Sequence, residues 1–247
     1  GKQKKEKTTE SALGVKPVTG SWINLAYKDV RNKYTNPQSF DNMDPKLWEA
    51  KVRELSAMGI EYLVFMEVAN EGKSYYPSQI MPWCYNKDKR SPVDAILDEA
   101  AKHNMKIFMS SGWAKDQDDN LLDPAIKERQ LQIMEELASL YKNHKAFYGW
   151  YLPVEDCLCP IFAEHAVQSV NTLSEKAKKL TPGKKTLISP YGIGLSEFDN
   201  PEYEKQMQKL KVDIIAYQDE VGCVRDQFTL PRLKKNWQRL RDIHNRL

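Results

Sequence analysis

The chain has 247 residues, 41% hydrophobic and 29% charged, an ordinary globular balance with room for one sizeable core. A net charge of +3 is too mild to argue for a nucleic-acid partner. No apolar run is long enough to form a transmembrane segment.

Part of the positive excess sits at the start, where Lys2, Lys4, Lys5 and Lys7 face only Glu6 and Glu10. Residues 1–17 read as a disordered polar leader ahead of one domain over 18–247. A chain opening without Met and with such a leader fits an exported protein after processing.

Val18 to Tyr27 predicts the first strand. Asp44-Pro45 then opens a helix, with Asp as the cap and Pro at the first helical position. Leu47, Trp48, Val52, Leu55 and Met58 give it an apolar stripe, and Gly59 ends it. The second strand runs from Ile60 to Val68. Ser91-Pro92 caps the next helix, which runs to His103, and Met105 to Trp113 predicts the third strand. Asp123-Pro124 starts a helix with Ile126, Leu131, Met134, Leu137 and Tyr141 at helical spacing.

Ala146 to Val154 is a near-continuous apolar run, as expected of a parallel strand covered on both faces. It ends abruptly in Glu155-Asp156. A helix over 161–180 follows, stopped by Thr181-Pro182-Gly183, and then the fifth strand, Lys185 to Tyr191. Asn200-Pro201 begins a short helix, Val212 to Glu220 predicts the sixth strand, and the last helix starts near Pro231.

Strict strand–helix alternation predicts a parallel sheet with right-handed crossovers. No Gly-rich phosphate turn follows any strand, which argues against a nucleotide-binding open sheet. Polar and aromatic residues end nearly every strand, the pattern of a (β/α) TIM-type barrel with its site on the top face. A complete barrel has eight βα units. Six are recognisable here, so the last two read as missing or irregular, and the domain as incomplete at its C-terminal end.

The strand ends gather carboxylates and rings. Glu155 is the candidate general acid, because an apolar, aromatic surround raises a carboxyl pKa. Asp219, Glu220 and Glu67 are candidates for the second carboxylate that glycoside hydrolysis requires. Trp22, Asn24, Tyr76, Trp113, Asp156, Tyr191, Tyr217 and Gln218 are candidate sugar contacts. Sugars offer apolar faces that stack on rings and hydroxyls that bond to carboxylate and amide. The plain alternatives are that Glu155 caps the next helix, that Glu67 is paired with a buried base, and that individual rings are packing.

Other chemistries fit less well. The four histidines (His103, His144, His165, His244) sit before strands or in helices, away from the top face, and no His-Glu-x-x-His pattern exists. Cys84, Cys157, Cys159 and Cys223 lack the spacing of a zinc ribbon. No Gly-x-Ser-x-Gly elbow is present. No metal and no cofactor is assigned.

Three blocks carry a family likeness: Gly149 to Glu155, Ser189-Pro190-Tyr191, and Asp213 to Gly222. With Trp22, Trp48 and Tyr76-Pro77, they resemble a bacterial domain of unknown function over roughly residues 19–247. Its members are exported or lipid-anchored proteins of gut-type Gram-negative bacteria, grouped with TIM-barrel glycoside hydrolases. The resemblance implies a barrel, a glycosidase role, a periplasmic or outer-membrane location, and Glu155, Tyr191, Gln218 and Asp219 as site residues. A fainter likeness links Ala216 to Asp219 with chitinase-type barrels. Those enzymes need aspartates where this chain has Pro153 and Tyr151, so substrate-assisted chemistry is not expected. The competing reading is a glycan-binding barrel without catalysis, and the sequence is silent on oligomeric state.

Overall fold

A computed structural model describes residues 14–25, 44–224 and 226–247. The elements run β1 (Gly20–Ile23), α1 (Pro45–Ala57), β2 (Tyr62–Phe65), the hairpin strands β3 (Ala69–Asn70) and β4 (Lys73–Ser74), and α2 (Pro92–Lys102). Then follow β5 (Lys106–Ser110), α3 (Pro124–Tyr141), β6 (Phe147–Tyr151), α4 (Glu164–Leu180), β7 (Lys185–Ile188), α5 (Pro201–Lys209), β8 (Ile214–Ile215) and α6 (Leu230–Arg246). Most of the predicted leader, and the loop after Leu25 with Tyr27, lie outside the described residues. Residues 14–17 are exposed and lack regular structure. Among the described residues no helix is long and apolar enough to cross a membrane.

Six strands pair in the order β1-β2-β5-β6-β7-β8, all parallel. Neighbours in space are therefore successive βα units, and the sheet curls into half a barrel, with the helices on its convex side. The caps read from sequence are in place. Asp44, Ser91, Asp123 and Asn200 each accept from a backbone N–H of the first turn, ahead of a Pro whose missing N–H needs no partner there. The β3–β4 hairpin was not legible as strands. It turns through Glu71 and Gly72, both at positive φ (51° and 72°), as a tight hairpin requires.

The sheet separates two apolar clusters. On the convex side Phe65, Ile107, Met109 and Trp150 pack against Val52, Ile96, Ile133 and Leu173 of the helices. Trp150 is fully buried and donates its Nε1–H to Thr181 Oγ1 at 2.8 Å. On the concave side Val64, Phe108, Tyr151 and Leu187 meet Trp22, Tyr62 and Tyr148.

The pairing of β5 with β6 slips by one residue: Ile107 faces Phe147, and Phe108 faces Gly149. This irregularity puts both Tyr148 and Tyr151 on the concave face while Phe147 and Trp150 stay convex. β8 is shorter than the predicted strand for a simple reason. Ala216 N and Gln218 N still donate to Ile188 O (2.9 Å) and Pro190 O (3.0 Å), but Pro190 has no N–H to return, so the ladder stops.

Gly149 is where the sheet is tightest. A Cβ there would lie 2.5 Å from Lys185 O and 2.8 Å from a Phe108 ring carbon. The carbonyl belongs to the neighbouring strand and cannot swing aside. Gly149→Ala is expected to destabilise the fold by about 1–3 kcal/mol, read as a lowered midpoint in urea at unchanged slope. An unchanged midpoint would contradict this account of β6.

Candidate active site

Beyond β6 the chain turns through Leu152, whose N–H donates to Leu187 O (2.9 Å), and Val154. It brings Glu155 to the top of the sheet. Beyond β8 the chain delivers Gln218 to the same place. Gln218 Nε2 donates to Glu155 Oε1 at 2.6 Å and to Ser189 O at 2.8 Å, joining the ends of three successive strands.

Glu155 is exposed as a residue, yet the protein around its carboxyl group takes away part of its hydration. Burial pushes its pKa above the ordinary glutamate value. The Gln218 hydrogen bond pulls it back, and the negative charge of Glu220 adds to the rise.

Glu220 stands in the left-handed backbone region (φ 54°), uncommon for a residue with a Cβ. Its Oε2 accepts from Gly192 N at 2.7 Å, which fixes the side chain. Asp219 is exposed, and its Oδ1 accepts from Val221 N at 3.1 Å. Asp156 Oδ2 accepts from Ala163 N at 2.9 Å at the start of α4, and burial raises its pKa. Tyr191 N donates to Asp156 O (3.1 Å) and Tyr191 O accepts from Leu158 N (2.8 Å), tying the loop after β6 to the loop after β7. Cys157 and Cys159 form a disulfide in that same loop; Cys84 and Cys223 lie outside any disulfide.

A cleft of about 270 Å³ opens beside Glu155, walled by residues 153–156 and 117–121 and by the first turns of α4. His165 lines it, which corrects the expectation that all four histidines lie away from the top face. It belongs to the opening turn of α4, and that end of the helix faces the strand tops. A larger groove of about 650 Å³ lies between β8, α5 and α6. It carries none of the strand-end carboxylates, so the smaller cleft is the candidate site.

The remaining candidates are placed differently. Trp22 packs its ring edge-on to Tyr151 at 6.0 Å on the concave face, and Asn24 is half-buried just past β1. Trp113 is nearly buried beyond β5, its N–H directed at Ala69 O. Glu67 is fully buried and its Oε1 accepts from Leu25 N at 2.8 Å, joining the tops of β1 and β2. Tyr76 is fully buried, with its hydroxyl on Glu136 Oε2 of α3 (2.8 Å). Tyr217 turns outward, its hydroxyl 2.6 Å from Tyr203 Oη and 2.9 Å from His244 Nε2 among the helices.

Sequence reasoning missed Tyr151. It is buried on the concave face next to Trp22. Burial first, then the charge of Glu155, push its phenol pKa well above the usual range, with Glu67 adding less. It therefore stays protonated close to the carboxylates. Counting back by twos from Glu155 reaches Tyr151 through Pro153, so alternation could have found it.

A curled half-barrel of parallel strands with its polar residues at the strand tops is a TIM-type α/β architecture. The structure is similar over 100% of its length to 75% of a Bacteroides thetaiotaomicron VPI-5482 protein described as a "putative alpha-L-fucosidase" (18% identity, TM-score 0.70). It is also similar, over 81% of this chain and 68% of the other, to TsXylA, an intracellular xylanase from Thermoanaerobacterium saccharolyticum (16% identity, TM-score 0.50). At these identities the likeness shows the fold alone. Among curated proteins nothing matches. The family profile "Domain of unknown function (DUF4434)" matches residues 18–246, and the chain belongs to that family.

The raised Glu155 pKa has a consequence for stability. An unfolded glutamate ionises near about 4.3, whereas the folded Glu155 ionises higher. Between those values the unfolded state sheds the proton first, so stability falls as pH rises through the window and stays lowered above it. Glu155→Gln removes this loss. Its Tm minus that of the wild type is expected to be positive at pH 7 and to shrink towards zero at pH 4 and below. A difference independent of pH would contradict the shift.

Proposed function

We propose that this protein hydrolyses a glycosidic bond in a polysaccharide or oligosaccharide, with Glu155 as general acid. The observation that carries the reading is the Gln218-held carboxyl of Glu155 (2.6 Å) at the mouth of the half-barrel, its pKa raised by burial and by Glu220. A glutamic acid that keeps its proton nearer neutral pH can give it to a leaving glycosidic oxygen.

Glu220 is the second carboxylate in this reading. Among the described residues its charge is the one felt at Glu155, and one of its oxygens is anchored by Gly192 N. That leaves the other oxygen to stabilise the oxocarbenium-like transition state, as nucleophile or as base to a water. Asp219 and Glu67 have their own anchors, Val221 N and Leu25 N. Trp22 and Tyr191 supply rings near the mouth, and Asp156, with the cleft beside it, supplies polar contacts for a sugar unit.

The reading extends to location: an exported protein of the periplasm or of a lipid-anchored outer-membrane position. The Cys157–Cys159 disulfide supports an oxidising compartment.

The test is reducing-sugar release from a panel of plant and host glycans. Glu155→Gln is expected to lower release by about 100-fold or more. Gln218→Leu removes a hydrogen bond that favours the ionised carboxylate, so Glu155 should hold its proton to higher pH and the alkaline limb of the rate profile should move up. Equal release by wild type and Glu155→Gln would end the Glu155 assignment. Tight glycan binding with no release from any substrate would establish the non-catalytic alternative.

A further inference from the structure

The disulfide lies where the two carboxylate arms of the site meet. It closes over Leu158, starting from Cys157 just after the Glu155-Asp156 pair. Its sulfurs rest on the backbone of Gly192, where a Cβ would lie 2.7 Å from Cys159 Sγ and 3.0 Å from Cys157 Sγ. Gly192 has a left-handed backbone (φ 85°), so a side chain is excluded there by conformation as well as by the sulfurs. The same glycine donates its N–H to Glu220 Oε2 at 2.7 Å. On its other side Gly192 O lies 2.8 Å from Ser196 Oγ, whose single hydroxyl proton is shared between it and Leu158 O inside the disulfide loop.

We propose that the Cys157–Cys159 disulfide is a positioning element of the active site, holding Gly192 so that its amide fixes Glu220 opposite Glu155. The inference rests on reading Glu155 and Glu220 as the carboxylate pair. The disulfide bears directly on the turn that presents the Gly192 amide, and the turn in turn bears on Glu220. Breaking the S–S bond frees both sulfurs to rotate away, and the turn around Gly192 loses the surface it rests on. Glu220 then loses its anchor.

The titratable groups that act on or with Glu155 are Glu220 beyond β8 and Tyr151 of β6, while Asp118, Asp119, Asp156 and His165 line the cleft beside it. Of these, Glu220 is the one held by Gly192. Losing its charge from beside Glu155 lowers the Glu155 pKa, because like charge had raised it.

The experiment compares the oxidised protein, the protein treated with dithiothreitol, and Cys157→Ser/Cys159→Ser. Dithiothreitol breaks the S–S bond by passing two electrons and two protons to the sulfurs, giving two thiols and its own cyclic disulfide. Among the described residues no other disulfide is present to be reduced. Far-UV circular dichroism and reoxidation check that the fold survives.

Two readouts are taken: hydrogen exchange of the Gly192 amide, and kcat, KM and pH profile on a hydrolysed glycan. Reduction is expected to speed Gly192 exchange by about tenfold or more. It should lower kcat by about tenfold with little change in KM, and move the alkaline limb to lower pH, all reversed on reoxidation. Unchanged Gly192 exchange overturns the proposal, as does faster exchange with unchanged kcat and pH profile. Faster exchange in a protein that hydrolyses nothing in any state overturns the glycosidase reading and leaves the disulfide–Gly192 coupling standing.

Discussion

The hydrogen bonds of one amide, Gln218 Nε2 to Glu155 Oε1 and Ser189 O, are the interaction on which the site depends. A parallel sheet sets its strand tops side by side, but a strand top ends in loop, and loops do not hold a carboxylate by themselves. Gln218 spans from beyond β8, across β7, to the residue that follows β6. It can do so because Gln218 N is itself tied to Pro190 O (3.0 Å), which extends the pairing of β7 with β8 past the regular ladder. The curl of the half-barrel brings these tops to one mouth, and the amide makes them one unit.

Burial and a like charge then act on that unit against a hydrogen bond. Loss of hydration and the neighbouring Glu220 favour the protonated Glu155, while the Gln218 donor favours the ionised form. The first two prevail, so the carboxyl is held above its ordinary value without being sealed from solvent. Glu220 is held by the amide of a glycine that lies against a disulfide. An Arg or Lys beside Glu155 would oppose the shift by favouring the ionised carboxylate.

Much of the architecture was legible because it follows from backbone chemistry. The Asp-Pro, Ser-Pro and Asn-Pro helix starts need only a cap oxygen and a residue without an N–H, and the alternation of units dictates a parallel sheet. Facing was harder. Reading β6 as a uniform buried run hid the turn of Tyr151 towards the concave face, and the slip ahead of Gly149, which breaks the two-residue period, put Tyr148 there as well. Tyr76 and Tyr217 stand near strand tops in sequence, yet their hydroxyls are committed to Glu136 and to Tyr203 with His244. A ring's place along the chain does not fix the side to which it turns. Glu155 could be singled out because the character of the chain changes at it. The disulfide could not, since a Cys-x-Cys pair closes only where the surrounding fold leaves room for its sulfurs, here over a residue with no Cβ.

The most direct test of the central claim is a carbon-13 NMR titration of the Glu155 carboxyl in the wild type and in Glu220→Gln. The account predicts a Glu155 pKa above the ordinary value of about 4.3 in the wild type, and a lower one in the variant, where the like charge is gone. A Glu155 that titrates at its ordinary value, or one indifferent to Glu220, would contradict the account.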